Sequence, residues 1–310
     1  MAVVAVAGGL GHVGRTIIET LKDNTKHSVV ALTRKAPQDP VDFSVKVVDY
    51  DNVDDIASFL KKSSIEVVIS ALRVASLESG VAEINLAKAA AKSKTTKRFV
   101  ASEWSTVVPE NELGPHDQAR KETRDFLRGE TDLEWTRFIC GHFLIDYAGQ
   151  PYIRSYMKPD LHFGIDVENK AAFIPGTGNG TIAFSYTYDL AKFVVAALDL
   201  PEWEEETISW SDKATWNEVV ALGEKARRTK FTVNYDPVEK LRKGEISELP
   251  GQVQLYSFLP KPFLQGLVSR WGLMAIQGHW NLPEENSLNR RFPEIETLKV
   301  KDAFKGWEGK

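Results

Sequence analysis

Apolar and polar positions along this chain follow two rhythms in alternation. Ala2 to Ala7 is an unbroken run of small or β-branched apolar residues, the pattern of a short buried strand. Ile17, Ile18 and Leu21 then recur at helical spacing. The strand pattern returns over Ser28–Thr33, Val45–Asp49, Glu66–Ala71, Arg98–Ser102 and Leu133–Ile139. Helical patterns separate these runs. One spans Asp51–Lys62 with Val53, Ile56, Phe59 and Leu60 on its inner face; others cover residues 80–93 and Pro115–Arg128. Such alternation predicts a parallel sheet covered by helices on both faces.

After Ile139 the rhythm fails. Residues 141–180 are rich in aromatics, glycine and proline with no clear period: His142, Phe143, Tyr147, Tyr152, Tyr156, His162 and Phe163. A segment of this kind covers either a ligand cleft or simply the core. A strong helix returns over Tyr188–Leu198, then a strand over Thr207–Trp210. Thr215 and Glu218 are spaced as a capping box opening a further helix. From Asp236 to Lys310 proline, charge and aromatics mix, which reads as short helices.

The first strand leads into Gly8-Gly9-Leu10-Gly11-His12-Val13-Gly14 and then a helix. Strand, glycine turn and helix in this order form a dinucleotide-binding fingerprint, a cradle expected to span all seven residues. A pyrophosphate must approach the backbone closely, so side chains at the turn would clash. The helix N-terminus supplies free N–H groups and the positive end of the dipole. The expected fold is therefore α/β, a Rossmann-type doubly wound parallel sheet with a smaller, mostly helical C-terminal substrate lobe. The sheet domain is placed at residues 1–150, with a return of the chain at about 183–225. Residues 151–182 and 226–310 would form the lobe.

Composition narrows the picture. With 43% hydrophobic and 26% charged residues over 310 positions, the chain is an ordinary globular one. A net charge of −4 gives no general attraction to nucleic acid or acidic lipid. One cysteine, Cys140, allows neither an internal disulfide nor a cysteine zinc site, and no metal is expected. The first residues carry no basic n-region, and no apolar stretch approaches the length of a membrane span. A cytoplasmic protein without nucleic-acid or membrane partners is expected, as a monomer or homodimer.

The second strand ends in Thr33-Arg34-Lys35, where NAD-binding units place a carboxylate. A guanidinium suits a bidentate grip on a 2′-phosphate, so Arg34 and Lys35 favour NADP(H) over NAD; the alternative is a solvated loop pair. Asp49 ends the third strand and would meet the adenine edge or serve as a turn former. Ser70 and Ala71 end the fourth strand, where ligands sit in such sheets, and Ser102 ends the fifth.

These residues together resemble the isoflavone-reductase-like proteins, within the NmrA-like atypical short-chain dehydrogenases. The resemblance rests on the glycine turn, Thr33-Arg34, Arg98-Phe-Val-Ala-Ser-Glu103, Lys121-x-x-Arg124, Phe173-Ile-Pro-Gly-x-Gly178 and Tyr188-Asp-Leu-Ala191. It spans about residues 2 to 225. It implies an NADP(H)-dependent oxidoreductase acting on an aromatic or enone-like small molecule, in secondary metabolism. On matching positions the key lysine is Lys121, as catalytic group and as holder of the cofactor ribose. The Tyr-x-x-x-Lys pair of ordinary short-chain dehydrogenases is absent, because Asp117 stands four residues before Lys121. His142 and Tyr147 fall where that family lines its substrate site, so either would donate the proton, or each is a buried group satisfied by backbone partners. Periodicity by itself puts Lys121 almost opposite the apolar face marked by Thr123, Phe126 and Leu127. Two other functions fit the same resemblance: a dinucleotide-sensing regulator without turnover, and a reductase-like fold used for a non-redox cyclisation or isomerisation.

Overall fold

The computed structural model describes residues 1–23, 26–144, 153–157 and 161–310. Along the chain run β1 (Val3–Ala7), α1 (His12–Asp23), β2 (Ser28–Thr33), β3 (Ser44–Val47), α2 (Val53–Lys62), β4 (Val67–Ser70), α3 (Leu77–Ser93), β5 (Arg98–Ser105), α4 (Pro115–Glu130) and β6 (Glu134–Ile139). There follow β7 (His142–Phe143), β8 (Ile165–Asp166), β9 (Ala171–Pro175), β10 (Thr181–Ser185), α5 (Thr187–Ala197), β11 (Glu206–Ile208), β12 (Asp212–Thr215), α6 (Trp216–Arg227) and β13 (Thr232–Asp236). Two compact units share the chain. One comprises Met1–Ile139, Leu190–Ser209 and Glu285–Ile295; the other comprises Cys140–Asp189, Trp210–Glu284 and Glu296–Lys310. The return to the sheet unit at 190–209 is shorter than the stretch 183–225 read from the sequence. A second return, at 285–295, has no counterpart in that reading.

The sheet unit is built on seven strands in the order β11-β6-β5-β4-β1-β2-β3. Every neighbouring pair is parallel. This is the doubly wound Rossmann arrangement, and its strand order reverses at β1, which lies between β2 and β4. The register sets Ala7 opposite both Leu32 and Ser70, so the carboxyl ends of three strands finish together. β1 and β4 are apolar almost throughout because helices bury both faces. Ile56, Leu60, Leu86 and Ala90 from α2 and α3 complete that core with Phe99 and Trp135.

Some boundaries move for local reasons. β3 stops at Val47, two residues short of Asp49, whose Oδ1 accepts the Asp51 N–H at 3.0 Å and turns the chain. α3 starts three residues early, at Leu77, because Ser76 and Ser79 cap it reciprocally. α4 buries Asp117, Ala119, Thr123, Arg124 and Leu127, while Phe126 is only half-buried. Its inner face is thus rotated from the apolar stripe expected, and it takes in two charged residues, Asp117 and Arg124.

The second unit carries two three-stranded sheets, β12-β10-β7 and β13-β9-β8. Their strands of two to five residues are too short to show a period in the sequence. Helices include α6, opened as expected by the Thr215–Glu218 capping box, and the longer Lys261–Ile276. The aromatic segment supplies this unit's core. Phe163 packs edge-on against Trp216 at 5.2 Å and against Phe173 at 6.1 Å between ring centroids, and all three are buried.

Candidate cofactor-binding site

The glycine turn closes the carboxyl end of β1. Gly8 has φ +74°, and its N–H donates to Leu32 O at 3.1 Å. A Cβ there would lie 2.5 Å from Ala71 O. At Gly9 a Cβ would fall 2.4 Å from Ile18 Cδ1, and at Gly14 2.4 Å from Gly8 O. These three glycines are demanded by the protein's own packing. Gly11 differs: a Cβ there meets only Gly8 O, at 3.2 Å, and otherwise open space. Its N–H donates to Gly8 O at 2.8 Å, and its carbonyl accepts from Arg15 N–H in the first turn of α1. Gly11 and His12 are exposed, Leu10 and Val13 half-buried, and no acidic residue sits in that turn. The turn therefore offers an uncovered backbone and an unopposed helix N-terminus, the requirement of a pyrophosphate. The residues present fit a dinucleotide.

Arg34 and Lys35 follow β2 and are exposed. Arg34 lines an open cleft of about 850 Å³, shared with Val47, Asp49, Leu72, Arg73 and Val81. Asp49 makes the turn and also lines this cleft. Arg73, beyond β4, is a second cation there that the motif-based reading missed; a basic residue just past a strand end in such a sheet is the available signal. Tyr50 is buried with its hydroxyl 3.3 Å from Leu32 O, and burial pushes its pKa well above the ordinary phenol range.

The ends of β4 and β5 are tied to each other. Ala71 N–H donates to Ala7 O at 2.9 Å, and Trp104 Nε1 donates to Ser70 O at 3.2 Å. The Ser102 hydroxyl donates to Leu72 O at 2.8 Å, and its N–H to Glu83 Oε1 at 2.6 Å. Ser102 therefore spends its hydroxyl on joining the two strand ends. Glu83, on α3, is fully buried, and burial pushes its carboxyl up to about 7. Sequence periodicity alone gives no sign of this buried acid.

Lys121 lies on α4 with its side chain 27% exposed and its ammonium 2.5 Å from Asp125 Oδ2. The same helix sends Arg124 inward to Glu103 at 2.6 Å; Arg137 of β6 takes the other oxygen of Glu103 at 2.7 Å and also pairs with Glu206. In the second unit His142 is buried, its ring 5.4 Å from Phe163, 5.8 Å from Trp280 and 6.2 Å from Phe184. Tyr147 lies outside the described residues.

Fold and turn together define a dinucleotide-binding protein. Residues 8–166 match a family model described as NAD(P)H-binding. Oxidoreductase BOA1 of Botryotinia fuckeliana is 34% identical over 235 residues, 74% of this chain and 78% of that protein. Two solved structures share the fold at TM-scores of 0.74. One is a complex of leucoanthocyanidin reductase from Vitis vinifera with NADPH, 18% identical over 98% of this chain and 99% of that one. The other comes from work on pinoresinol-lariciresinol and phenylcoumaran benzylic ether reductases and their relationship to isoflavone reductases, 17% identical over 99% of both chains. The chain belongs to the NAD(P)H-binding family, among its oxidoreductases, and has the isoflavone-reductase-like fold. Among the described residues no helix is long and apolar enough to cross a membrane.

Proposed function

We propose that this protein is an NADPH-dependent reductase of an aromatic or enone-like small molecule in secondary metabolism. The observation that carries the cofactor choice is the exposed Arg34 at the end of β2, opening on the cleft where an NAD-binding strand would present a carboxylate. Bound NADPH supplies the hydride. The chain supplies position and charge. Backbone from Gly8 to Gly14, including Gly9, Leu10, His12 and Val13, cradles the pyrophosphate against the N-terminus of α1. Arg34 and Lys35 grip the 2′-phosphate, and Asp49 faces the adenine edge. Ser70, Ala71 and Ser102 form the floor at the strand ends. Lys121 holds ribose hydroxyls and orients the reacting groups. The proton donor is drawn from His142 and Tyr147, on the strength of the family resemblance.

The test is NADPH oxidation by the purified protein against quinones, enones and aryl ethers, with Lys121→Ala alongside. Losing a group that acts on the reacting atoms lowers turnover by about 10²- to 10⁴-fold. Turnover by Lys121→Ala at the wild-type rate would remove the lysine from the mechanism. NADPH binding with no oxidation of it by any of these compounds would move the reading to dinucleotide sensing.

A further inference from the structure

Ser102-Glu103 towards the end of β5 and Lys121-x-x-Arg124 on α4 meet at one buried ion pair, between residues 21 apart. Arg124 Nη1 and Glu103 Oε1 are 2.6 Å apart, with both side chains only 8% exposed. Arg137 Nη1 takes Glu103 Oε2 at 2.7 Å, and Arg137 is itself anchored to Glu206 of the edge strand β11. Glu103 is thus fixed on the sheet side before α4 reaches it. Farther along α4, Arg128 pairs with Glu205 at 2.6 Å, but at the surface.

We propose that Glu103 is a positioning residue for Lys121, acting through Arg124. The proposal rests on the reductase reading, in which Lys121 meets the bound dinucleotide. The buried face of α4 mixes apolar and polar groups. Among its described side chains Ala119 and Leu127 are fully buried apolar groups and Phe126 packs half-buried against the same core, while Asp117, Thr123 and Arg124 fill the rest of the buried face. Apolar contact is non-directional and by itself does not fix the rotation or register of a helix. A guanidinium on a carboxylate whose second oxygen is already held permits one geometry. A slip of one residue would turn α4 by about 100° and shift it by about 1.5 Å, enough to carry Lys121 away from any ligand it touches. Arg124 is less than one turn from Lys121, so the grip lies at the level where it matters. This also gives the spacing Lys121-x-x-Arg124 a physical reason: one residue faces the ligand while the other holds the helix.

The experiment is lysine acetylation by an N-hydroxysuccinimide ester of acetate, read site by site by mass spectrometry with and without NADPH. In the wild type NADPH should slow acetylation at both Lys35 and Lys121. In Arg124→Met, where Glu103 keeps Arg137 as its counter-charge, protection at Lys35 should persist and protection at Lys121 should be lost. Arg124→Lys should restore part of it, and Arg128→Met, on the same helix, should keep both. Glu103→Gln is the second variant, and protection at Lys35 shows that each variant is folded and loaded. Undiminished protection of Lys121 in Arg124→Met and Glu103→Gln overturns the proposal. So does a wild type protected at Lys35 alone. Protection at neither lysine in the wild type overturns the NADPH reading itself, and the proposal with it.

Discussion

Lys121 and Asp125 form an ion pair along one turn of α4, with the lysine on the N-terminal side. That order is the weaker one for an i,i+4 pair, because it opposes the helix dipole. The pair holds the ammonium against the helix surface, where a ligand must compete with Asp125 for it. Asp125→Asn should therefore change stability by less than about 0.5 kcal/mol, the scale of exposed helix pairs. It should also tighten NADPH binding severalfold. Calorimetric titration of both proteins decides the matter; weaker binding by the variant would mean that Asp125 helps to place the lysine.

The glycines of the turn divide into structural and ligand-facing ones. Gly14→Ala drives a Cβ to 2.4 Å from Gly8 O and should destabilise the fold by about 1–3 kcal/mol, as overpacking does. Gly11→Val meets only open space beyond Gly8 O, so the melting temperature should stay near the wild type while NADPH binding is abolished. Thermal melts and a binding titration on the two variants separate the effects. A Gly11→Val protein that is folded and still binds NADPH would reduce the turn to a connector.

Cofactor choice is carried by Arg34. Its contact with a 2′-phosphate is a charge-assisted hydrogen bond worth about 1.5–3 kcal/mol, roughly ten- to a hundredfold in affinity. Arg34→Ala should lose that much for NADPH and little for NADH. The wild type should prefer NADPH by a similar factor. Equal wild-type affinities for the two cofactors would refute the assignment.

What the sequence revealed follows from where the physics is local. β1, the glycine turn and α1 are written in consecutive residues, and the parallel sheet in the alternation of runs such as Glu66–Ala71 with amphipathic helices. β7 and β8 leave no pattern in the sequence, because two residues show no period. On α4 the buried face keeps Thr123 and Leu127 but also takes in Arg124, which is polar by type; the carboxylate of Glu103, 21 residues earlier, makes that burial tolerable. The aromatic segment reads as covering either a cleft or the core, and Phe163 and His142 pack into a core. Aromatic composition serves either role equally well.

Glu83 predicts an unusual dependence of stability on pH. Burial is the main reason its pKa rises to about 7; the nearby Glu103 adds to the rise, while the Ser102 N–H, the Ser70 hydroxyl and Arg120 work against it. In the unfolded chain the group titrates near its ordinary value of 4.5. Below that pH it is protonated in both states and contributes nothing. Between about 4.5 and 7 the folded state holds a proton that the unfolded state has released, so stability falls as pH rises. Above that window the cost is complete, at about 3 kcal/mol for a displacement of this size. Glutamine has the shape of the neutral acid and keeps an oxygen for the Ser102 N–H. Glu83→Gln should therefore match the wild type in urea unfolding near the acid end of the window. At pH values above it, the variant should be the more stable protein. A wild type that exceeds Glu83→Gln in stability on the alkaline side would show that the carboxylate is favoured in place, and that the neutral form is not the one the fold selects.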